Sequence, residues 1–142
     1  MKDILVIENE RMIFLDIKIT FANAGFNVIL ANSYNIASLA ASGVSADLVI
    51  ADVKTATGVF KELYKVLKSN SAYKGTPVIL TNSGSRVLER FCLRKKINVI
   101  AEVDKPYNSA DLLFIYHQYL IHSTEVKHFD AADFVYRELV MS

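Results

Sequence analysis

The sequence predicts an α/β protein with a doubly wound sheet of five parallel strands in the flavodoxin-like order 2-1-3-4-5. Short continuous apolar runs of strand type alternate with segments of helical periodicity along the 142 residues. This alternation is typical of parallel sheets that helices cover on both faces. Right-handed crossovers then lead to three layers, and the chain is long enough to bury a substantial core.

The first strand and helix occupy the N-terminal quarter of the chain. Ile4 to Ile7 is a continuous apolar run, and the polar residues from Glu8 to Glu10 close it. A richly apolar helical stretch from Met12 to Ala22 follows and stops at Gly25, because glycine commonly comes directly after a helix. Phe26 to Ala31 is predicted to be the second strand.

The middle of the chain carries the second helix, the third strand and the third helix. Ser33 is placed to cap a short helix that ends at Gly43. Leu48 to Ala51 is the third strand, with Asp52 at its end. A polar loop is expected next, followed by a helix whose apolar residues recur from Val59 to Leu67.

The last two strands and two more helices follow the same alternation. The fourth strand runs from Pro77 to Leu80, and Ser85 to Lys95 is predicted to be helical. Ile97 to Val103 is the fifth strand. Either Asn108 or Ser109 then caps a fifth helix with apolar positions up to residue 120.

A surplus segment follows this pattern and suggests a division of the chain. Residues 1–122 form the predicted domain, and residues 123–142 form a C-terminal extension. Apolar residues of the extension from Val126 to Leu139 lie near one helical face, so we expect a sixth, amphipathic helix. Such a face suits protein contact and would allow a homodimer.

Composition excludes several classes of protein. Sixteen Lys and Arg residues against fifteen Asp and Glu residues give a net charge of +1, which carries no nucleic-acid signature. No apolar run reaches the length of a membrane span. The single cysteine, Cys92, excludes an internal disulfide, and the charged N-terminus is unlike a signal peptide. We therefore expect a cytoplasmic protein.

Polar residues stand where four of the strands end. Glu8 and Asn9 follow the first strand, and Asp52 ends the third. Thr81 ends the fourth strand, and Lys105 follows the fifth. Ligands of open α/β sheets bind outside the carboxyl ends of the strands, where these side chains would meet. A carboxylate and a lysine at one edge suit the handling of a phosphoryl group.

The motifs around these residues resemble the receiver domain of two-component response regulators. The matching segments are ILVIENE, DLVIADV, PVILTN and DKPY, and the resemblance covers Lys2 to Leu120. It implies that Asp52 accepts a phosphoryl group from a histidine kinase or a phosphotransfer protein and forms an acyl phosphate. It also implies contact with a downstream protein. No enzymatic activity is expected beyond self-phosphorylation from small donors and self-dephosphorylation.

The resemblance also implies a role for each residue at the strand ends. Thr81 and Lys105 would contact the phosphoryl oxygens, and the Lys-Pro peptide is typically cis in the family. Mg²⁺ would be held by four oxygen donors: Glu8, Asn9, Asp52 and the backbone carbonyl of Lys54.

The sequence departs from the family pattern at three places. The pair Glu8-Asn9 stands where the family has two acids, so we expect a weakened Mg²⁺ site. Glu102 occupies the switch position, which is usually aromatic, and the segment after Asp52 has no proline. An alternative therefore stays open: a degenerate receiver-fold interaction module that is not phosphorylated.

Overall fold

Five parallel strands form the central sheet of this computed structural model: β1 (Asp3–Ile7), β2 (Asn27–Ala31), β3 (Leu48–Asp52), β4 (Pro77–Thr81) and β5 (Asn98–Val103). Their order in the sheet is β2-β1-β3-β4-β5. Neighbouring strands pair in parallel throughout, with one register shift between Val78 and Ile79 on β4. The predicted fold class and strand order are thus confirmed.

The structure describes residues 2–68, 75–82, 84 and 97–122. Two predictions lie outside these residues. One is the helix from Ser85 to Lys95, and the other is the extension of residues 123–142.

Five helices are described: α1 (Arg11–Asn23), α2 (Ile36–Ala41), α3 (Val53–Gly58), α4 (Phe60–Lys68) and α5 (Ser109–His122). Gly25 follows the end of α1 with a φ of +93°, a conformation that glycine adopts without a steric penalty. Asn108 rather than Ser109 caps α5, since its side-chain oxygen accepts the Ala110 amide at 3.0 Å. Across the described ranges, no helix combines the length and the apolarity that crossing a lipid bilayer requires.

Ser33 does not cap α2, so this prediction is wrong. The helix begins later, at Ile36, and a turn precedes it. The Asn32 side chain closes that turn, because its Oδ1 accepts the amides of Tyr34 at 2.9 Å and Asn35 at 3.1 Å. An Asx side chain competes well for such amides, and here the asparagine rather than the adjacent serine makes the bonds.

The prediction of a polar loop after Asp52 is also wrong, because Val53–Gly58 forms the helix α3. Asp52 is the N-cap residue of this helix and satisfies the amide of Thr55. Val53 and Ala56, three residues apart, are fully buried on one side of it. The segment is therefore helical despite its polar composition, because the Asp52 cap and the burial of Val53 and Ala56 stabilise the helix.

The sheet is buried on both faces, which accounts for its continuous apolar strands. One face of β1 and β3 packs against α2, α3 and α4 and includes Leu5, Ile7, Val49, Ala51, Ile36, Val53, Leu63 and Val66. The opposite face packs against α1 and α5 and includes Ile4, Val6, Leu48, Ile50, Phe14, Phe21, Ile115 and Tyr116. Successive residues of a strand thus alternate between the two halves of the core.

Alkaline pH should destabilise the fold partly through Tyr116, which is 1% exposed on α5. Burial, with added effects of Asp47 and Tyr119, raises the pKa of Tyr116 from 10 to about 12. The stability associated with the neutral phenol is complete below pH 10 and is lost as pH rises towards 12, because the unfolded chain ionises first. Replacing Tyr116 by Phe should remove up to about 3 kcal/mol of this loss.

Urea unfolding of the wild type and of Tyr116→Phe at pH 10 and pH 12 measures this difference. Equal losses of stability in the two proteins over that interval would contradict the prediction.

Candidate functional site

The carboxyl ends of β1, β3, β4 and β5 meet at one edge of the sheet, which we call the carboxyl edge. Asp52 lies opposite Thr81 in the parallel register, and Thr81 lies opposite Val103. Glu8 directly follows β1, whose last residue pairs with Ala51. Lys105 follows β5, and its peptide bond to Pro106 is cis, as is typical of the family it resembles. Side chains from four strand ends therefore share this edge.

The Lys105 ammonium lies among carboxylates at the carboxyl edge. Its Nζ is 3.1 Å from Oδ1 of Asp52, 3.2 Å from Oε1 of Glu8 and 3.6 Å from Oε1 of Glu10. Burial alone would lower the pKa of Lys105, but the adjacent Asp52 and Glu8 carboxylates outweigh it and raise the pKa above its ordinary value. The ammonium is therefore charged at neutral pH.

The two oxygens of Asp52 have different surroundings. Oδ2 accepts two hydrogen bonds of 3.0 Å, one from the Thr55 amide and one from the Thr55 hydroxyl. Oδ1 faces Lys105 and has no oriented hydrogen bond to any residue that the structure describes. Burial tends to raise the pKa of Asp52, yet the Thr55 amide, the Asn82 side chain and Lys105 together lower it. Asp52 is thus a buried carboxylate with one oxygen restrained by Thr55 and one oxygen that faces Lys105.

Glu8 is almost fully buried, and both of its oxygens have partners. Oε1 pairs with Lys105, and Oε2 accepts the Glu10 amide at 3.1 Å. Burial raises the pKa of Glu8, and the nearby Asp52 charge adds to this increase, against the effects of the Glu10 amide and Lys105. Glu8 therefore holds the lysine in place at the carboxyl edge.

Asn9 and Lys54 are the other two predicted metal donors. Asn9 is exposed, and its Oδ1 lies 3.4 Å from the Ser33 amide in the turn before α2. Lys54 is exposed in the first turn of α3. The metal contact of the Lys54 carbonyl stays a prediction.

The predicted Mg²⁺ donors differ in their surroundings. Within the described part of the chain, no group of three His, Cys, Asp or Glu side chains is arranged to hold a metal ion. Oδ1 of Asp52 is a hard oxygen ligand that faces Lys105, both oxygens of Glu8 have partners, and Oδ1 of Asn9 lies beside the Ser33 amide.

Two buried hydroxyls complete the edge. Oγ1 of Thr81 and the hydroxyl of Tyr107 have no oriented hydrogen bond to any described residue. Burial raises the pKa of Tyr107 to about 12, with Glu8 adding to the rise while Lys105 and the nearby Thr81 oppose it. Thr81 thus keeps a hydroxyl proton that it can donate beside Asp52.

Glu102, at the expected switch position, lies on β5 and is half-buried. In the register it pairs with Leu80, one position before the pair formed by Thr81 and Val103. The side chain at this position is therefore a carboxylate set back from the carboxyl edge.

A cleft of about 410 Å³ adjoins the carboxyl edge. It is lined by Met12, Ile13, Asp16, Lys105, Pro106 and Tyr107. Met12 is 77% exposed on α1, so this cleft offers apolar surface directly beside the lysine.

Thr55 and Tyr107 are two residues of the site that the sequence does not predict. The signal for Thr55 was present, since an acid followed three residues later by a hydroxyl residue suits a helix N-terminus. The polar composition of the segment favours a loop instead, and a loop gives Thr55 no role. Nothing in the sequence indicates that the Tyr107 hydroxyl is buried next to Thr81.

No protein-family model matches this sequence, and no curated protein sequence matches it significantly. Several solved structures are similar. A signal receiver domain of a two-component histidine kinase from Clostridium thermocellum is 27% identical, with a TM-score of 0.61 over 84% of this chain and 97% of that chain.

Two further structures show the same fold at lower identity. The receiver domain of the sensor histidine kinase PA1611 from Pseudomonas aeruginosa, solved with a magnesium ion in its active-site cleft, is 18% identical, with a TM-score of 0.62 over 84% of this chain and 97% of that one. The chemotaxis protein CheY4 from Vibrio cholerae is 24% identical, with a TM-score of 0.60 over 83% of this chain and 98% of that one. The strand order and these structural neighbours show that the chain has the receiver-domain fold.

Proposed function

We propose that the chain is a phosphoacceptor that receives a phosphoryl group on Asp52 from a histidine kinase or a phosphotransfer protein. The observation that carries this proposal is the distance of 3.1 Å between the Lys105 ammonium and Oδ1 of Asp52. Oδ1 attacks phosphorus, and the bond between phosphorus and the donor breaks. The electron pair of that bond leaves with the donor, so the step needs no proton from Asp52.

Charge and position supply most of what this reaction requires. Phosphoryl transfer passes through a loose transition state, in which negative charge on the equatorial oxygens must be neutralised. The Lys105 ammonium can balance one such oxygen, and the Thr81 hydroxyl can donate a hydrogen bond to another. Glu8 limits how far Lys105 can move, because it pairs with the same ammonium.

The cleft beside Lys105 supports the partner part of the proposal. A donor protein must bring its phosphohistidine within reach of Asp52, and Met12 and Ile13 provide apolar surface next to that path. Output through contact with a downstream protein completes the proposed role.

A second candidate function is a receiver-fold interaction module that does not accept phosphate. The position of Asn9, exposed and next to Ser33, favours this alternative because it leaves the metal donors dispersed. The two candidates differ in one measurable property, which is whether Asp52 becomes phosphorylated.

Incubation with acetyl phosphate and Mg²⁺ should add the mass of one phosphoryl group to the wild-type chain, as measured by intact mass spectrometry. Asp52→Asn should show no gain, since the amide cannot act as the nucleophile. Asp111→Asn, which changes an exposed acid on α5, is the matched control and should be labelled like the wild type. A wild-type chain without any mass gain would favour the interaction module.

Replacing Lys105 by Met should destabilise the fold by about 3 kcal/mol at neutral pH, since it leaves Asp52 and Glu8 as buried carboxylates without a counter-charge. This deficit should shrink below the ordinary carboxyl pKa values of 3.8 and 4.5, where protonation removes the repulsion. The double variant Lys105→Met/Asp52→Asn should recover part of the loss. Urea unfolding tests all three proteins, and a single variant as stable as the wild type would contradict the prediction.

Mg²⁺ should bind weakly to the wild type and roughly tenfold more tightly to Asn9→Asp, because a second acid restores negative charge at the carboxyl edge. Isothermal titration calorimetry measures both affinities. Asp104→Asn tests whether charge in the neighbourhood has a general effect, and it should leave the affinity unchanged. Equal Mg²⁺ affinities of the wild type and Asn9→Asp would show that residue 9 is not a ligand.

A further inference from the structure

We infer that Thr55 is a positioning residue for Asp52: it holds Oδ2, leaves Oδ1 to react, and shortens the lifetime of the acyl phosphate. This inference rests on the proposed function of Asp52 as phosphoacceptor. Thr55 lies in the segment for which the sequence predicts a polar loop.

The geometry shows two donors from one residue on one oxygen. The amide and the hydroxyl of Thr55 both lie 3.0 Å from Oδ2 of Asp52. Thr55 is 5% exposed and Asp52 is 4% exposed, so water does not compete freely for this oxygen. The β-branched side chain restricts rotation about χ1, which keeps the hydroxyl in place. The amide bond alone would cap α3, and the hydroxyl is an additional restraint.

This restraint distinguishes the two oxygens of the carboxylate. Two hydrogen bonds from Thr55 occupy Oδ2, whereas Oδ1 faces the ammonium of Lys105. Attack through Oδ1 forms the bond between Oδ1 and phosphorus. Oδ2 then becomes the carbonyl oxygen of the mixed anhydride and can keep both Thr55 bonds. The capped start of α3 therefore need not move for the reaction.

The same hydrogen bonds favour loss of the phosphoryl group. In hydrolysis, water attacks phosphorus and the electron pair of the phosphorus–Oδ1 bond returns to Asp52. Phosphate takes up the elements of water and departs, and the carboxylate is restored. A carboxylate oxygen accepts a stronger hydrogen bond than the carbonyl of an anhydride. The Thr55 hydroxyl thus stabilises the departing carboxylate more than the acyl phosphate, which lowers the barrier to hydrolysis.

Three variants separate this role from simple capping of the helix. Thr55→Val keeps the shape and the amide bond but removes the hydroxyl. Thr55→Ala removes the hydroxyl with a different change of shape, and Thr55→Ser restores it. Each protein is labelled with acetyl phosphate, the donor is removed, and the loss of phosphoryl is followed by intact mass, with the free energy of unfolding measured in parallel.

Thr55→Val should retain the phosphoryl group about fivefold longer than the wild type. Thr55→Ala should change the lifetime in the same direction, and Thr55→Ser should decay close to the wild-type rate. A purely structural role would make the lifetimes follow stability instead of the presence of the hydroxyl. Decay of Thr55→Val and Thr55→Ala at the wild-type rate or faster would overturn the inference alone. A wild type that takes up no phosphoryl group would overturn the proposed function, and this inference with it.

Discussion

The ammonium of Lys105, placed between the carboxylates of Asp52 and Glu8, is the interaction on which the carboxyl edge depends. Both acids are nearly inaccessible to water, and burial of two neighbouring negative charges is unfavourable unless a cation lies between them. The parallel register brings the acids to one edge, and the turn after β5 brings the cation. Fold and electrostatics are therefore coupled at this edge. The sheet brings two buried negative charges together, and the Lys105 ammonium compensates them.

The remaining partners determine which oxygen of each carboxylate is available. Glu8 has one oxygen on the ammonium and one on a backbone amide, so its position is fixed. Asp52 has one oxygen on Thr55 and one that faces Lys105. We derive the proposed chemistry from three features: a carboxylate with one restrained oxygen, a cation that faces its other oxygen, and the buried hydroxyl of Thr81.

The fold could be predicted from the sequence because a sheet buried on both faces requires strands that are apolar at every position, and the sequence shows such runs. Continuous apolar runs such as Ile4 to Ile7 place alternate residues in the two halves of the core. The errors occurred where one polar side chain decides local structure. Asn32 rather than Ser33 makes the bonds before α2, and Asp52 turns an apparently polar loop into α3. Which side chain accepts a given backbone amide depends on local geometry, and the apolar periodicity of a sequence contains no information about it.

The site was predictable to the level of the strand ends. The predicted ends of the strands place four residues at one edge, since the carboxyl ends of parallel strands lie together. These residues are Glu8, Asp52, Thr81 and Lys105. The contact of Asn9 with the Ser33 amide and the hydrogen bond from Thr55 to Asp52 were not predictable. Both depend on which groups lie within hydrogen-bond distance in the folded chain.

The pKa of Asp52 in the folded protein tests this account most directly, and the ¹³C chemical shift of its carboxyl carbon during an acid titration measures it. If the amide of Thr55, Asn82 and the ammonium of Lys105 surround the carboxylate as described, the midpoint should lie below 3.8 despite burial. A midpoint at or above 3.8 would mean that burial is not compensated by Lys105 and its neighbours, and it would contradict the account.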